Sequence, residues 1–99
     1  MKNKMRPVHP GEILKDELEA LDMNPSSLSK LLMVPPNRII DILKGKRSIT
    51  PDTALRLSRF FGTTAEFWLN LQAAFDLKTM EKKSAKNVYN HIHPYFEAA

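Results

Sequence analysis

Two polar side chains suited to reading DNA bases stand next to each other in the middle of the chain. Asn37 has the donor and acceptor pattern that pairs with adenine, and Arg38 has the paired donors that a guanine accepts. Pro36 precedes them, and Asp41 follows one helical turn later. If this segment is a helix lying in a major groove, these four residues are predicted to contact bases.

Basic and small polar residues flank this segment on both sides. Lysine and arginine hold DNA through its phosphates, which fixes register without reading sequence. The free N–H groups and the positive dipole end of a helix N-terminus also favour an anion. Each group alone would be ordinary exposed surface, and only their combination favours DNA. The predicted phosphate contacts are Asn24, Ser26, Ser27, Lys44, Lys46 and Arg47.

The elements that must position these side chains are two short helices. The first is predicted to begin at Pro25 with Asn24 as N-cap and to end before Pro35. The second is predicted to span 36–44 and to stop at Gly45 in a left-handed conformation. Only residues 33–35 join them, a length that sets two helices at a steep angle. This arrangement predicts a helix-turn-helix.

Helical periodicity predicts three further helices and no strand, hence an all-α fold of five helices. The first helix spans about 10–21, the fourth follows the N-cap Thr50 and ends at Gly62, and the fifth follows the N-cap Thr64 and weakens after residue 77. Leu21 and Leu31 are assigned to inward faces. We predict an N-terminal arm (1–8), a helix-turn-helix DNA-binding domain (9–77) and a C-terminal helical extension or tail (78–99).

The composition favours a polyanionic partner and argues against several other classes. Fifteen Lys and Arg against eleven Asp and Glu give a net charge of +4. Since there is no cysteine, disulfides and thiolate metal sites are excluded. No apolar run reaches signal-peptide or membrane-spanning length, so we expect a cytoplasmic protein. His9, His91 and His93 lack the support of a metal site, and no catalytic motif occurs, so neither an enzyme nor a cofactor nor a metal is expected.

Aromatic residues near the C-terminal end of the predicted domain suggest a homodimer. Trp68 is expected in the core, whereas Phe67, Leu71 and Phe75 are predicted to form a dimer interface, because aromatic residues are enriched in interface cores. A two-fold dimer places two recognition helices about 34 Å apart, one turn of DNA. The predicted partner is therefore double-stranded DNA with a palindromic operator.

The chain contains six distinctive sequence runs: RPVHPGEIL (6–14), VP (34–35), RIIDI (38–42), GKRSIT (45–50), DTALRL (52–57) and FGTTAEFWLNLQ (61–72). Together these runs resemble the HigA family of antitoxins, within the Cro/C1-type or XRE-family regulators. The resemblance covers about residues 6–77 and implies a lambda-repressor-like fold. Two departures concern the helix-turn-helix: Ser29 stands where relatives usually have Ala, and Met33 where they usually have Gly, at a turn residue that often takes a positive φ. Pro36 replaces a commonly polar residue.

The resemblance implies an antitoxin that neutralises a HigB-like, RelE-type mRNA-cleaving toxin and represses its own operon as a dimer. An alternative is a stand-alone phage-type or chromosomal transcriptional repressor without a toxin partner, which keeps the same DNA chemistry. A third possibility is an interaction module whose basic face binds an acidic protein or a membrane. Membrane binding is the least favoured, because no predicted helix combines a basic face with a large exposed apolar face.

Overall fold

The computed structural model describes residues 6–84 and 88–95. In this part of the chain, five α-helices are followed by one short 3-10 helix and there is no strand, which confirms the predicted fold class. The α-helices are α1 (Pro10–Ala20), α2 (Pro25–Leu32), α3 (Pro36–Leu43), α4 (Pro51–Phe61) and α5 (Ala65–Ser84), and the 3-10 helix is Tyr89–His91.

The starts of the helices follow from proline and from side-chain caps. Each of α1 to α4 begins with a proline, whose missing N–H has no partner inside a helix in any case. The predicted caps are confirmed: Asn24 accepts from the N–H of Ser27 at 2.8 Å, Thr50 from that of Thr53 at 3.3 Å, and Thr64 from that of Phe67 at 3.1 Å. These bonds fix where α2, α4 and α5 enter the domain.

The core lies between all five helices. Trp68 is 1 % exposed, as predicted, and its indole N–H donates to the Thr63 hydroxyl at 2.9 Å. Gly11 allows α1 to approach α3, because a Cβ atom at this position would overlap the carbonyl oxygen of Ile42. The buried apolar residues are Leu14, Leu18, Leu28, Leu32, Ile39, Ile42, Ile49, Ala54, Leu57 and Trp68.

Two leucines assigned to inward faces are exposed, so those assignments are wrong. Leu31 is 56 % exposed because the buried face of α2 is shifted towards Ser29, whose hydroxyl is satisfied by donating to the Ser26 carbonyl at 2.7 Å. Leu21 is exposed because it follows the last residue of α1, where the chain turns through Asp22 at φ 54°.

The last helix is longer than its apolar pattern indicates. α5 runs without interruption past residue 77 to Ser84, and its final turns expose Leu77 and Met80. The domain boundary at 77/78 therefore falls inside a helix and stays a prediction. Residues 1–5, 85–87 and 96–99 of the predicted arm and tail lie outside the described residues. None of the described helices has the length and apolar character needed to cross a membrane.

Candidate nucleic-acid interface

The turn between α2 and α3 has the geometry of a helix-turn-helix. Met33 adopts the left-handed conformation, with φ 63° and ψ 46°. Its N–H bonds the carbonyl of Lys30 at 3.1 Å, and the N–H of Val34 bonds that of Ser29 at 3.0 Å. The Met33 side chain is 81 % exposed. The turn thus keeps its shape without glycine, although a side chain in this conformation is strained.

α3 presents one buried and one outward face. Ile39 and Ile42 are fully buried against the other helices. Pro36 and Asn37 are exposed in the first turn, and Asp41 is half-buried one turn later. Two of the predicted base contacts are therefore open to solvent at the N-terminal end of the helix, which is the end that approaches base edges in this motif.

Arg38, the predicted guanine reader, is held by a carboxylate from another helix. Its Nη1 donates to Oδ2 of Asp52 at 2.6 Å, and the Arg38 side chain is only 29 % exposed. The same Asp52 oxygen accepts from Nε of Arg56 at 3.0 Å. We call Arg38, Asp52 and Arg56 the recognition network.

The recognition network is also attached to the helix-turn-helix backbone. Nη1 of Arg56 donates to the carbonyl of Leu32 at 2.7 Å and to that of Met33 at 3.3 Å. These carbonyls belong to the C-terminal end of α2, where the last turn of a helix leaves acceptors without an intrahelical donor. Arg56 therefore ties the turn to α4 and, through Asp52, to α3.

The charge of Asp52 is stabilised by its partners. Hydrogen bonds from Arg56 first, and from Arg38 second, lower the pKa of the Asp52 carboxyl below its ordinary value. Its place in the first turn of α4 further favours the anion. The carboxylate is thus ionised over the whole range in which DNA binding is measured.

The basic loop, residues 44–47, follows α3 and is exposed throughout. Its backbone is fixed to α3: the N–H of Gly45 bonds the Ile42 carbonyl at 3.0 Å, and that of Lys46 bonds the Asp41 carbonyl at 2.8 Å. Gly45 has the predicted positive φ, 75°. Arg47 lies 3.6 Å from the Asp41 carboxylate, an exposed pair of small energetic weight. The predicted phosphate contacts on this loop are therefore presented outward.

His9 contacts the backbone of the basic loop and helps to hold it in place. It is buried, caps α1 by accepting the N–H of Gly11 on Nδ1 at 2.9 Å, and is hydrogen-bonded to the backbone of Arg47. Its ring meets that of Phe75 edge-on, with the centroids 4.8 Å apart. Burial lowers the pKa of His9, which keeps the ring neutral as the cap requires.

The described residues contain no group of three or more potential metal ligands.

The predicted phosphate contacts Asn24, Ser26 and Ser27 form the first turn of α2. The Asn24 side-chain oxygen is occupied by the cap, whereas the hydroxyls of Ser26 and Ser27 lie on exposed residues. Their position relative to α3 is set by the packing of α2 against α3 within the helix-turn-helix. The structure thus places them at a helix N-terminus, as predicted, and contact with phosphate stays a prediction.

Comparison with known proteins identifies the family. The helix-turn-helix family profile matches residues 14–68. A solved addiction module antidote protein of the HigA family from Coxiella burnetii is 58 % identical and superposes with a TM-score of 0.88, covering 91 % of this chain and 99 % of that one. The chain belongs to the HigA family.

Two further relatives extend the comparison. The Pseudomonas aeruginosa antitoxin HigA, solved with the higBA promoter, is 41 % identical with a TM-score of 0.87 over 92 % of this chain and all of that one. Virulence-associated protein I of Dichelobacter nodosus is 50 % identical over 82 residues, 82 % of this chain and 76 % of that protein. The resemblance drawn from sequence runs is confirmed.

The predicted dimer residues of this HigA family member lie four residues apart along α5. Phe67 is 41 % exposed and packs edge-on against Trp68, with the ring centroids 5.1 Å apart. Leu71 and Phe75 are half-buried. All three therefore retain apolar surface, and the role of this surface in a dimer stays a prediction.

The sequence did not point to the residues that hold the candidate interface in place. Asp52 and Arg56 carried one usable signal, because opposite charges four residues apart on a helix form pairs. Nothing in the sequence indicated that Asp52 meets Arg38. The same is true of Gln72, whose buried side chain accepts the N–H of Ile49 at 2.7 Å and donates to Asp76 at 2.9 Å, joining the chain after the basic loop to α5.

Proposed function

We propose that this HigA family member is the antitoxin of a type II toxin-antitoxin system and represses its own operon by binding DNA. In this proposal, α3 enters the major groove, Asn37 and Arg38 read bases with Pro36 and Asp41 beside them, and the basic loop contacts phosphate. The first turn of α2 contacts a second stretch of phosphates. Residues 9–77 form the DNA-binding domain, with 1–8 as an arm and 78–99 as an extension.

The observation that carries the proposal is the outward N-terminal end of α3, with Asn37 exposed and Arg38 fixed in place, on a fold shared with an antitoxin solved with promoter DNA. A helix-turn-helix that reads bases requires donors at that end of the recognition helix. The net charge of +4 favours binding to a polyanion.

Repression is proposed to require a homodimer. A two-fold dimer through Phe67, Leu71 and Phe75 would cover apolar surface on α5 and present two α3 helices to successive turns of a palindromic operator. Because base contacts then occur twice, a dimer gains specificity that one domain lacks.

The second activity is proposed to be neutralisation of a HigB-like, RelE-type mRNA-cleaving toxin. Membership of the HigA family supports it. The direct test is co-expression of the full chain with the product of the small reading frame next to its gene, followed by light scattering on size-exclusion fractions. A stable complex containing both chains is expected. A homodimer that does not bind that product would contradict the proposed toxin neutralisation and favour the stand-alone repressor.

A further inference from the structure

Asp52 is an acidic residue beside the proposed DNA contacts. DNA is a polyanion, so a carboxylate near its phosphates opposes binding. The side chain is nonetheless about half exposed and bonded to Arg38 and Arg56 through the same oxygen, Oδ2. The repulsion between this carboxylate and the phosphates of DNA would have to be offset by a benefit to binding. The contact between Asp52 and Arg38 can provide that benefit.

We propose that Asp52 is a specificity-determining residue that holds the guanidinium of Arg38 in the orientation that reads guanine. This inference rests on the proposed function, in which α3 lies in a major groove. In this arrangement Asp52 does not touch DNA and acts through Arg38, so it is a positioning residue.

The chemistry of the guanidinium allows both contacts at once. Arginine has five N–H donors in a rigid plane, and a guanine uses two of them through O6 and N7. The bond to Asp52 uses Nη1 of Arg38. The remaining donors lie on other edges of the plane, so one edge can be held while another meets a base.

Asp52 can orient Arg38 because Asp52 is itself anchored. Arg56 bonds Asp52 at 3.0 Å, and Arg56 is held by the backbone carbonyls of Leu32 and Met33. The orientation of Arg38 is thus set relative to the turn of the helix-turn-helix and to α4. A side chain ordered before binding loses less conformational entropy when it meets the base.

The opposite role is that Asp52 competes with DNA for Arg38. In that case, removal of the carboxylate would free Arg38 and tighten binding to the cognate site without loss of base preference. Orientation predicts the reverse: binding to the wrong base stays equal or tightens as a negative charge is lost, while the preference for guanine falls.

The test uses the full chain and four operator duplexes that differ only at the guanine pair whose preference Arg38→Ala abolishes. Asp52→Ala is compared with Glu66→Ala, which removes the same charge from the equivalent second residue of α5. The wild type should prefer guanine by about 5- to 150-fold, the range of one good bidentate contact. Asp52→Ala should lower this ratio at least about threefold, a sizeable part of that contact, and Glu66→Ala should leave it unchanged.

Three controls keep the result interpretable. Thermal unfolding establishes that Asp52→Ala is folded, and Asp52→Glu, which keeps a carboxylate, should retain more of the guanine preference than Asp52→Ala. In an Arg38→Ala background, Asp52→Ala should no longer change the base preference, because its effect passes through Arg38.

An unchanged guanine ratio in folded Asp52→Ala would overturn the inference while leaving the proposed function intact. A change in base preference that persists in the Arg38→Ala background would also overturn it, since Asp52 would then act by another route. If no base pair of the operator shows a guanine preference that Arg38→Ala abolishes, the base-reading role of Arg38 in the proposed function is contradicted instead, and the role of Asp52 with it.

Discussion

Arg38 in the recognition network and the lysines of the basic loop carry the same charge but are held in different ways. The Arg38 side chain is 29 % exposed, and its guanidinium is held by a 2.6 Å bond to Asp52. Lys44 and Lys46 are exposed on a loop whose backbone, rather than their side chains, is fixed. Base reading depends on the direction of donors, whereas attraction to phosphate depends mainly on charge. The difference in support therefore matches a difference in proposed task.

The largest expected effect on DNA binding comes from a substitution in the recognition network. Arg38→Ala should weaken binding to the cognate operator by about 1–3 kcal/mol and relax the preference at one base pair per half-site, because a bidentate contact with guanine is lost. Fluorescence anisotropy with cognate and substituted duplexes measures both effects. Equal losses on all sequences would place Arg38 among the phosphate contacts and remove the distinction drawn above.

A smaller and more uniform effect is expected from the basic loop. Lys46→Ala should weaken binding to every duplex by about fivefold near 0.15 M salt and reduce the slope of log affinity against log salt by about one unit, because one phosphate contact is lost. Titrations at four or more salt concentrations measure this slope. If the slope stays the same, Lys46 does not contact phosphate.

A substitution in the turn that joins α2 to α3 is expected to change the stability of the domain without changing its charge. Met33→Gly should raise the free energy of unfolding by roughly 0.5–1 kcal/mol, because glycine removes the strain of a side chain at φ 63°, less its own cost in chain entropy. Urea unfolding measures the gain, and DNA affinity should stay unchanged. A loss of stability would show that the exposed Met33 side chain contributes contacts that outweigh the strain.

The smallest effect concerns the support of the basic loop by His9. Burial lowers the pKa of His9 below 6.5, so the unfolded chain takes up the proton more readily. The contribution of the neutral His9 ring to the free energy of unfolding is therefore fully present above about pH 6.5. It decreases as the pH drops from there towards the pKa of His9 in the folded protein. We expect the loss to be small, because attraction of the protonated ring to Asp76 and Glu12 offsets part of the effect of burial.

The matched control for this pH effect is His9→Asn, which keeps a capping oxygen and does not titrate. Urea unfolding at pH 7.5 and at pH 5.5 measures the free energy of unfolding at each pH. Its decrease between the two should be smaller for His9→Asn than for the wild type. Identical pH dependence in the two proteins would assign the fall to other groups.

The positions of the helices were largely predictable from the sequence, because their causes are local. Pro25, Pro36 and Pro51 mark first helical residues, and Asn24 and Thr50 cap them. Other features depend on packing between distant residues. Leu31 is exposed because the buried face of α2 is turned towards Ser29, which periodicity in apolar residues does not record.

The sequence could indicate candidate residues for DNA contact, but not the contacts that these residues make with one another. The types and spacing of Asn37, Arg38 and Lys46 indicate DNA, yet the bond between Arg38 and Asp52 joins residues 14 positions apart. Such a contact depends on where the assembled fold places α4 relative to α3. For the same reason, the support of the basic loop by His9 was not foreseen.

The central claim is sequence-specific DNA binding, and the most direct measurement is a competition titration. The full chain is titrated with DNA from upstream of its own gene and with a scrambled duplex of equal length, both at 0.15 M salt. The account predicts a preference of about a thousandfold or more for the upstream DNA, the lower end of what specific regulators show. Equal affinity for both duplexes, falling together with salt, would contradict it.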